Sequence, residues 1–116
     1  MIYLHEHNSK SLRYNIADIP DGATVAAAHY VLKTAQDAQD EVLRIDVDLE
    51  SAWEGSIENT PADHSAVVEF FVDLAGVSGL DADHYYAQQV QIVLSNSAKY
   101  MLPESLDFVR IRKGIN

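Results

Sequence analysis

Three groups of residues in this chain have side chains able to do chemistry. The first is the run DADH, with Asp81, Asp83 and His84. Alternate carboxylates suit a calcium ion, but such an ion wants about six or seven oxygens, and the Gly and Glu offsets of an EF-hand are missing. Aspartate at a turn hydrogen-bonds its own backbone, so the run reads as a turn. The second is His5, Glu6 and His7, which could offer two imidazoles on one side of a strand. Zinc wants three or four ligands at fixed geometry. His29, His64 and His84 are scattered, so the group reads as a surface terminus. The third is the set of serines. A nucleophilic serine needs a base and an orienting acid within reach, and no Gly-flanked serine elbow is present. There is no phosphate-cradling Gly-rich loop and no cysteine, which removes thiolate metal sites, cysteine nucleophiles and disulfides. The expectation is a non-enzymatic protein with no catalytic, cofactor-binding or metal site.

Composition bounds the rest. A chain of 116 residues with 47% hydrophobic residues is one folded domain. Eighteen Asp and Glu against eight Lys and Arg give a net charge of −10. A surface that negative repels phosphate backbones, which argues against a nucleic-acid partner. The basic cluster Arg110, Arg112 and Lys113 reads as charge blunting an edge strand. No apolar run is long enough to span a membrane, so no membrane partner is expected. The start, MIYLHEHNSK, lacks the basic and apolar regions of a signal peptide, so synthesis and initial residence in a cytoplasm are expected.

The elements that must position any site follow from period-two alternation, which buries one row of a strand and wets the other. Val68, Phe70, Val72 and Leu74 share one face of residues 65–74, with Glu69, Phe71 and Asp73 on the other. Tyr86, Val90, Ile92 and Leu94 share a face of residues 83–96, opposite Gln89 and Gln91. These two strands are expected to be neighbours in one antiparallel sheet. Leu12, Tyr14 and Ile16 mark a strand, and Pro20-Asp21-Gly22 a turn. The Ala-rich stretch 23–34 invites a helix by propensity but alternates like a strand. Leu43, Ile45, Val47 and Leu49 point inward from another strand. Residues 50–65 read as a connection between sheets, with Trp53 over one end of the core. Residues 95–98 read as a hairpin loop, Pro103 as a strand start, an edge or a bend, and Leu106 to Ile111 as a last strand with a bulge or a change of sheet near Asp107. The predicted core is Ile45, Val47, Phe70, Val72, Tyr86, Val90 and Ile92. About seven short strands without a confident helix predict an all-β, two-sheet antiparallel sandwich. Residues 1–10 form an N-terminal arm or a first strand, and 11–116 a single domain.

The segment VVEFFVDLAGVSGLDADHYYAQQVQIVLSNSAKYMLPESLDFVRI resembles small immunoglobulin-like β-sandwich domains of tailed-phage virion proteins, including the N-terminal domains of phage baseplate upper proteins. In that scheme a strand (Val68 to Leu74) ends in a turn with a Leu and an acid (Leu80 to Asp83). A Tyr-containing strand (Tyr86 to Leu94), a hairpin over Asn96 and a final strand (Phe108 to Ile111) follow. LRYNIADIPDGATVAAAHYVL is similar to the family's opening. The chain departs from the family at Asp83-His84, where a glycine commonly precedes the Tyr. The resemblance implies a virion structural protein of tail, neck, baseplate or head decoration. It would be made in the host cytoplasm and act on other virion proteins, or on copies of itself, without a cofactor. The competing reading is a cellular acidic β-sandwich module that captures a peptide or saccharide through its loops.

Two features suggest a contact surface. One is the apolar start Ile2, Tyr3 and Leu4, able to lie along a neighbour's sheet edge or to fold back as a first strand. The other is an alternate face bearing Val67, Phe71 and Tyr85. Tyr86 shares the register of Val90 and is expected in the core with its hydroxyl at the rim, whereas Tyr85 faces out.

Overall fold

The computed structural model describes residues 2–35, 39–50, 54–75, 80–102 and 107–114. Trp53, Pro103 and Leu106, each given a place above, lie outside the described residues, as does 76–79 of the connection before Leu80. The strands are β1 (Ile2–His5), β2 (Ser9–Ile16), β3 (Val25–Lys33), β4 (Glu41–Asp48), β5 (Gly55–Thr60), β6 (Ser65–Asp73), β7 (Tyr85–Leu94), β8 (Lys99–Met101) and β9 (Asp107–Arg112). A single 3₁₀ turn, Pro61–Asp63, is the only helical element among the described residues. Nine strands are therefore described where about seven were expected.

They form two sheets. The larger has the order β1-β9-β7-β3-β4, with β8 paired to the far half of β7, and the smaller has the order β2-β6-β5. The core lies between them. All seven predicted core residues are buried in it, together with Tyr30, Leu32 and Val68. The Ala-rich stretch is β3, a central strand with β4 and β7 on its two sides. Pairing along both edges outweighs the helix propensity of three alanines, which is worth only tenths of a kcal/mol per residue. The Pro20-Asp21-Gly22 turn closes through Ala23 N–H to Pro20 O at 3.1 Å, with Gly22 at φ 78°.

Several expectations change. β6 and β7 are not neighbours: β6 pairs with β2 and β5, and β7 with β3, β8 and β9. Alternation shows that each strand has one covered face, and says nothing about which strand lies beside it. The sheets are not wholly antiparallel, because β1 runs parallel to β9. That pairing also makes β9 an interior strand, so Arg110 and Arg112 do not blunt an edge. Leu49 lies beyond the end of β4 and is 62% exposed instead of inward.

The span 50–65 is more than a connection, since it holds β5. Its covered positions are Gly55, Ile57 and Asn59, so the alternation is present but two of three inward residues are not apolar. Asn59 crosses to the other sheet. Its Oδ1 accepts from Val25 N–H at 2.9 Å and its Nδ2 donates to Val25 O at 3.1 Å, just where the β3–β7 register shifts. Gly55 sits opposite Phe70, and a Cβ there would collide with the Glu69 carbonyl. Gly55→Ala is expected to destabilise the fold by about 1–3 kcal/mol, the usual cost of forced overpacking. Chemical denaturation would measure it.

Candidate contact surface

The residues with most capacity for recognition sit on the outer face of the large sheet, at its β1 end. Parallel pairing of β1 with β9 sets Tyr3 beside Arg110, and antiparallel pairing of β9 with β7 sets Tyr85 on the other side of Arg110. Period-two geometry turns all three away from the core. The row reads Tyr3, Arg110, Tyr85, with Phe108 and Arg112 one step along β9 in either direction. Tyr3, Tyr85 and Phe108 are each 40–50% exposed.

Cation–π contacts and hydrogen bonds hold the row together. The Arg110 guanidinium lies 5.2 Å from the Tyr85 ring centre, and that of Arg112 lies 4.1 Å from the Tyr3 ring centre. Arg110 Nη1 donates to the Tyr85 hydroxyl at 3.0 Å, and Nη2 reaches Asp83 Oδ1 at 3.4 Å. Tyr85, with Asp83 adding to it, holds the Arg110 guanidinium above its ordinary range, so it stays charged at every working pH. The strip is thus cationic and aromatic in a chain of net charge −10. Tyr, Phe and Arg are the residues enriched where proteins touch one another.

Asp81, Asp83 and His84 form the turn that sets the height of Tyr85. Asp83, at φ 61°, donates its N–H to Ile111 O at 2.6 Å, and Ile111 N–H returns to His84 O at 3.0 Å. The Asp81 N–H donates to the Tyr86 hydroxyl at 2.9 Å, which places that hydroxyl at the rim. No group of three His, Cys, Asp or Glu able to hold a metal occurs among the described residues.

The candidate residues divide differently from the two surfaces expected. β1 is a first strand that alternates: Leu4 is 2% exposed in the domain's own core, Ile2 packs against that core, and of the three apolar residues Tyr3 alone faces out, beside His5. Leu4 therefore cannot be a surface anchor. Val67 and Phe71 lie on the outer face of the small sheet, beside Asn15 and Ser11 of β2, whereas Tyr85 lies on the outer face of the large sheet. The sandwich separates them, so they form no common patch. Arg110 and Phe108 went unrecognised as partners of Tyr3 and Tyr85. The pairing of β9 with β7 on one side and with β1 on the other assembles them, and no local signal encodes either.

Farther across the large sheet's outer face is a hollow of about 150 Å³ lined by His29, Val31, Arg44, Gln89, Gln91 and Met101. His29 Nδ1 lies 2.6 Å from Asp46 Oδ1, and Arg44 bridges Asp46 and Glu41 at 2.9 Å each. No protein-family model matches the chain, and no curated protein matches it in sequence.

Proposed function

We propose that this chain is a non-enzymatic structural protein that works through protein–protein contacts, as a component of a tailed-phage particle. The single observation that supports the contact reading is the exposed Tyr3–Arg110–Tyr85 row. Its rings and guanidinium groups are braced against one another before any partner arrives. Braced aromatic and Arg side chains lose little conformational freedom on binding, which suits them to anchor an interface. The particle reading, and with it the immunoglobulin-like arrangement of the strands, rests on the resemblance in residues 11–112.

Mass spectrometry of particles purified after induction of the strain carrying the gene tests this directly. The chain is expected in fixed proportion to the major particle proteins, and its absence would overturn the particle reading. A phage carrying Tyr85→Ala is expected to lose the chain from its particles. The purified variant should keep its stability within about 1 kcal/mol, as for other substitutions at exposed positions. A second reading, capture of a saccharide, draws on the polar hollow around Gln89 and Gln91. Calorimetric binding of an oligosaccharide that is lost in Gln91→Ala would favour it.

A further inference from the structure

The two flanks of the sandwich differ in charge. One flank is made by β1 and β2, which touch, and the other by β4 and β5, which also touch. The first carries Lys10 and Lys113, with Arg112 one strand in on β9 and Glu6 in the turn between β1 and β2. The second carries Asp48, Glu50, Glu54 and Glu58, and Arg44 of β4 is held by Glu41 and Asp46. A two-fold dimer through either flank would set like charges together. A head-to-tail contact sets opposite charges together.

The strand directions favour the same arrangement. β9 runs with β1, β7 against it, β3 with it and β4 against it. A second copy in the same orientation would therefore lay its β4 antiparallel to β1, the more stable pairing. The small sheet offers no such junction, because β2 and β5 both oppose β6 and so run in the same direction. The large-sheet edges are guarded by the shortness of β1 and by the charges of β4, Glu41, Arg44, Asp46 and Asp48, so a partner strand must bring matching charge. β1 contains no proline or lysine, and β4 pairs regularly from Leu43 to Asp48. The Tyr3 carbonyl points to the outer edge, where Lys10 Nζ reaches it at a long 3.5 Å.

Shape adds a knob and a hole. Leu49, at the end of β4, is the most exposed large apolar side chain among the described residues. Beside β1 a hollow of about 210 Å³ is lined by the apolar Leu4, Val72 and Leu74 and by the polar His5, Asn8, Ser9 and Lys10.

We propose that this chain binds a second copy of itself head to tail. β1 of one protomer pairs with β4 of the next, and Leu49 enters the hollow between β1 and β2. The large sheets then run on from copy to copy. A ring or a filament results according to whether the rotation between copies closes. This rests on the protein-contact reading above and names one partner for it.

Sedimentation of the full chain from micromolar concentrations upward is expected to show assembly at low salt that weakens at high salt. Lys10→Glu with Lys113→Glu, and separately Asp48→Lys with Glu50→Lys, should each weaken it about tenfold or more, several surface charge pairs being reversed at once. An equal mixture of the two should recover it, since a reversed β1 edge then meets a reversed β4 edge. A misfolded variant could not be rescued in this way. Leu49→Asp, a change at a solvent-facing side chain, should abolish assembly with an unaltered circular dichroism spectrum. A wild-type monomer at all concentrations, assembly that survives both reversals, or a mixture that fails to recover would overturn the proposal. A monomer that still purifies with particles would overturn this junction and leave the contact reading intact. Assembly of a protein absent from particles would overturn the particle reading and leave this junction intact.

Discussion

Phe70→Ala is expected to cost about 3–5 kcal/mol, the usual range for emptying an aromatic site in a core. Phe71→Ala, one residue along, is expected to cost less than about 1 kcal/mol, as at an exposed position. Phe70 is fully buried between the sheets, with its ring centre 5.5 Å from that of Tyr30 and 6.2 Å from that of Tyr14. Tyr30 comes from the large sheet and Tyr14 from the small one, so the three rings tie the two layers together. Neither tyrosine can move into the space without giving up its own place, so the cavity would stay open. Phe71 is on the outer face beside Ser11 and leaves no cavity when truncated. Urea denaturation of both variants measures the difference. Equal losses would mean that a partner or another copy covers the outer face of the small sheet in solution.

The second large effect is expected at a polar pair inside the core. Tyr30 and Gln88 are both fully buried, and the Tyr30 hydroxyl donates to Gln88 Oε1 at 2.8 Å. Gln88→Leu takes the acceptor from the buried Tyr30 hydroxyl and Tyr30→Phe takes this donor from the Gln88 carboxamide, each at a cost of about 1–3 kcal/mol. The double variant is expected to cost less than the sum of the two, because the hydroxyl and the oxygen it bonds are then removed together. The pair also sets an alkaline limit. Burial pushes the Tyr30 phenol well above its usual range. Below pH about 10 the phenol is neutral in the folded and unfolded chains alike, and its burial carries no penalty. Above that, the unfolded chain ionises while the folded one stays protonated, so stability falls as pH rises. Denaturation at pH values on both sides of 10 should show that fall reduced in Tyr30→Phe.

Gln88 also shows where the sequence could be read and where it could not. It stands at the same parity as Tyr86, Val90 and Ile92, so its inward direction was legible. Its polarity hid it, because hydrophobic patterning marks buried positions by residue type. Asn59 and Gly55 hid β5 for the same reason: one was selected to bond Val25 across the sheets, the other to clear the Glu69 carbonyl. Both partners lie on other strands, and neither leaves a local mark.

The alternation by itself determined that this is an all-β protein, which residues of each long strand face the core, and where the tight turns fall. Those properties follow from a repeat of two and from local turn chemistry, both carried within a few neighbouring residues. Only the tertiary structure decided that β6 and β7 belong to different sheets, and that the first strand joins the last in parallel. It alone assembled Tyr3, Arg110 and Tyr85 into one row, and gave opposite flanks opposite charge. The physical reason is that a strand's backbone hydrogen bonds are the same whichever strand lies beside it. The choice of neighbour is made by the whole core closing at once, and so is every surface built from neighbouring strands.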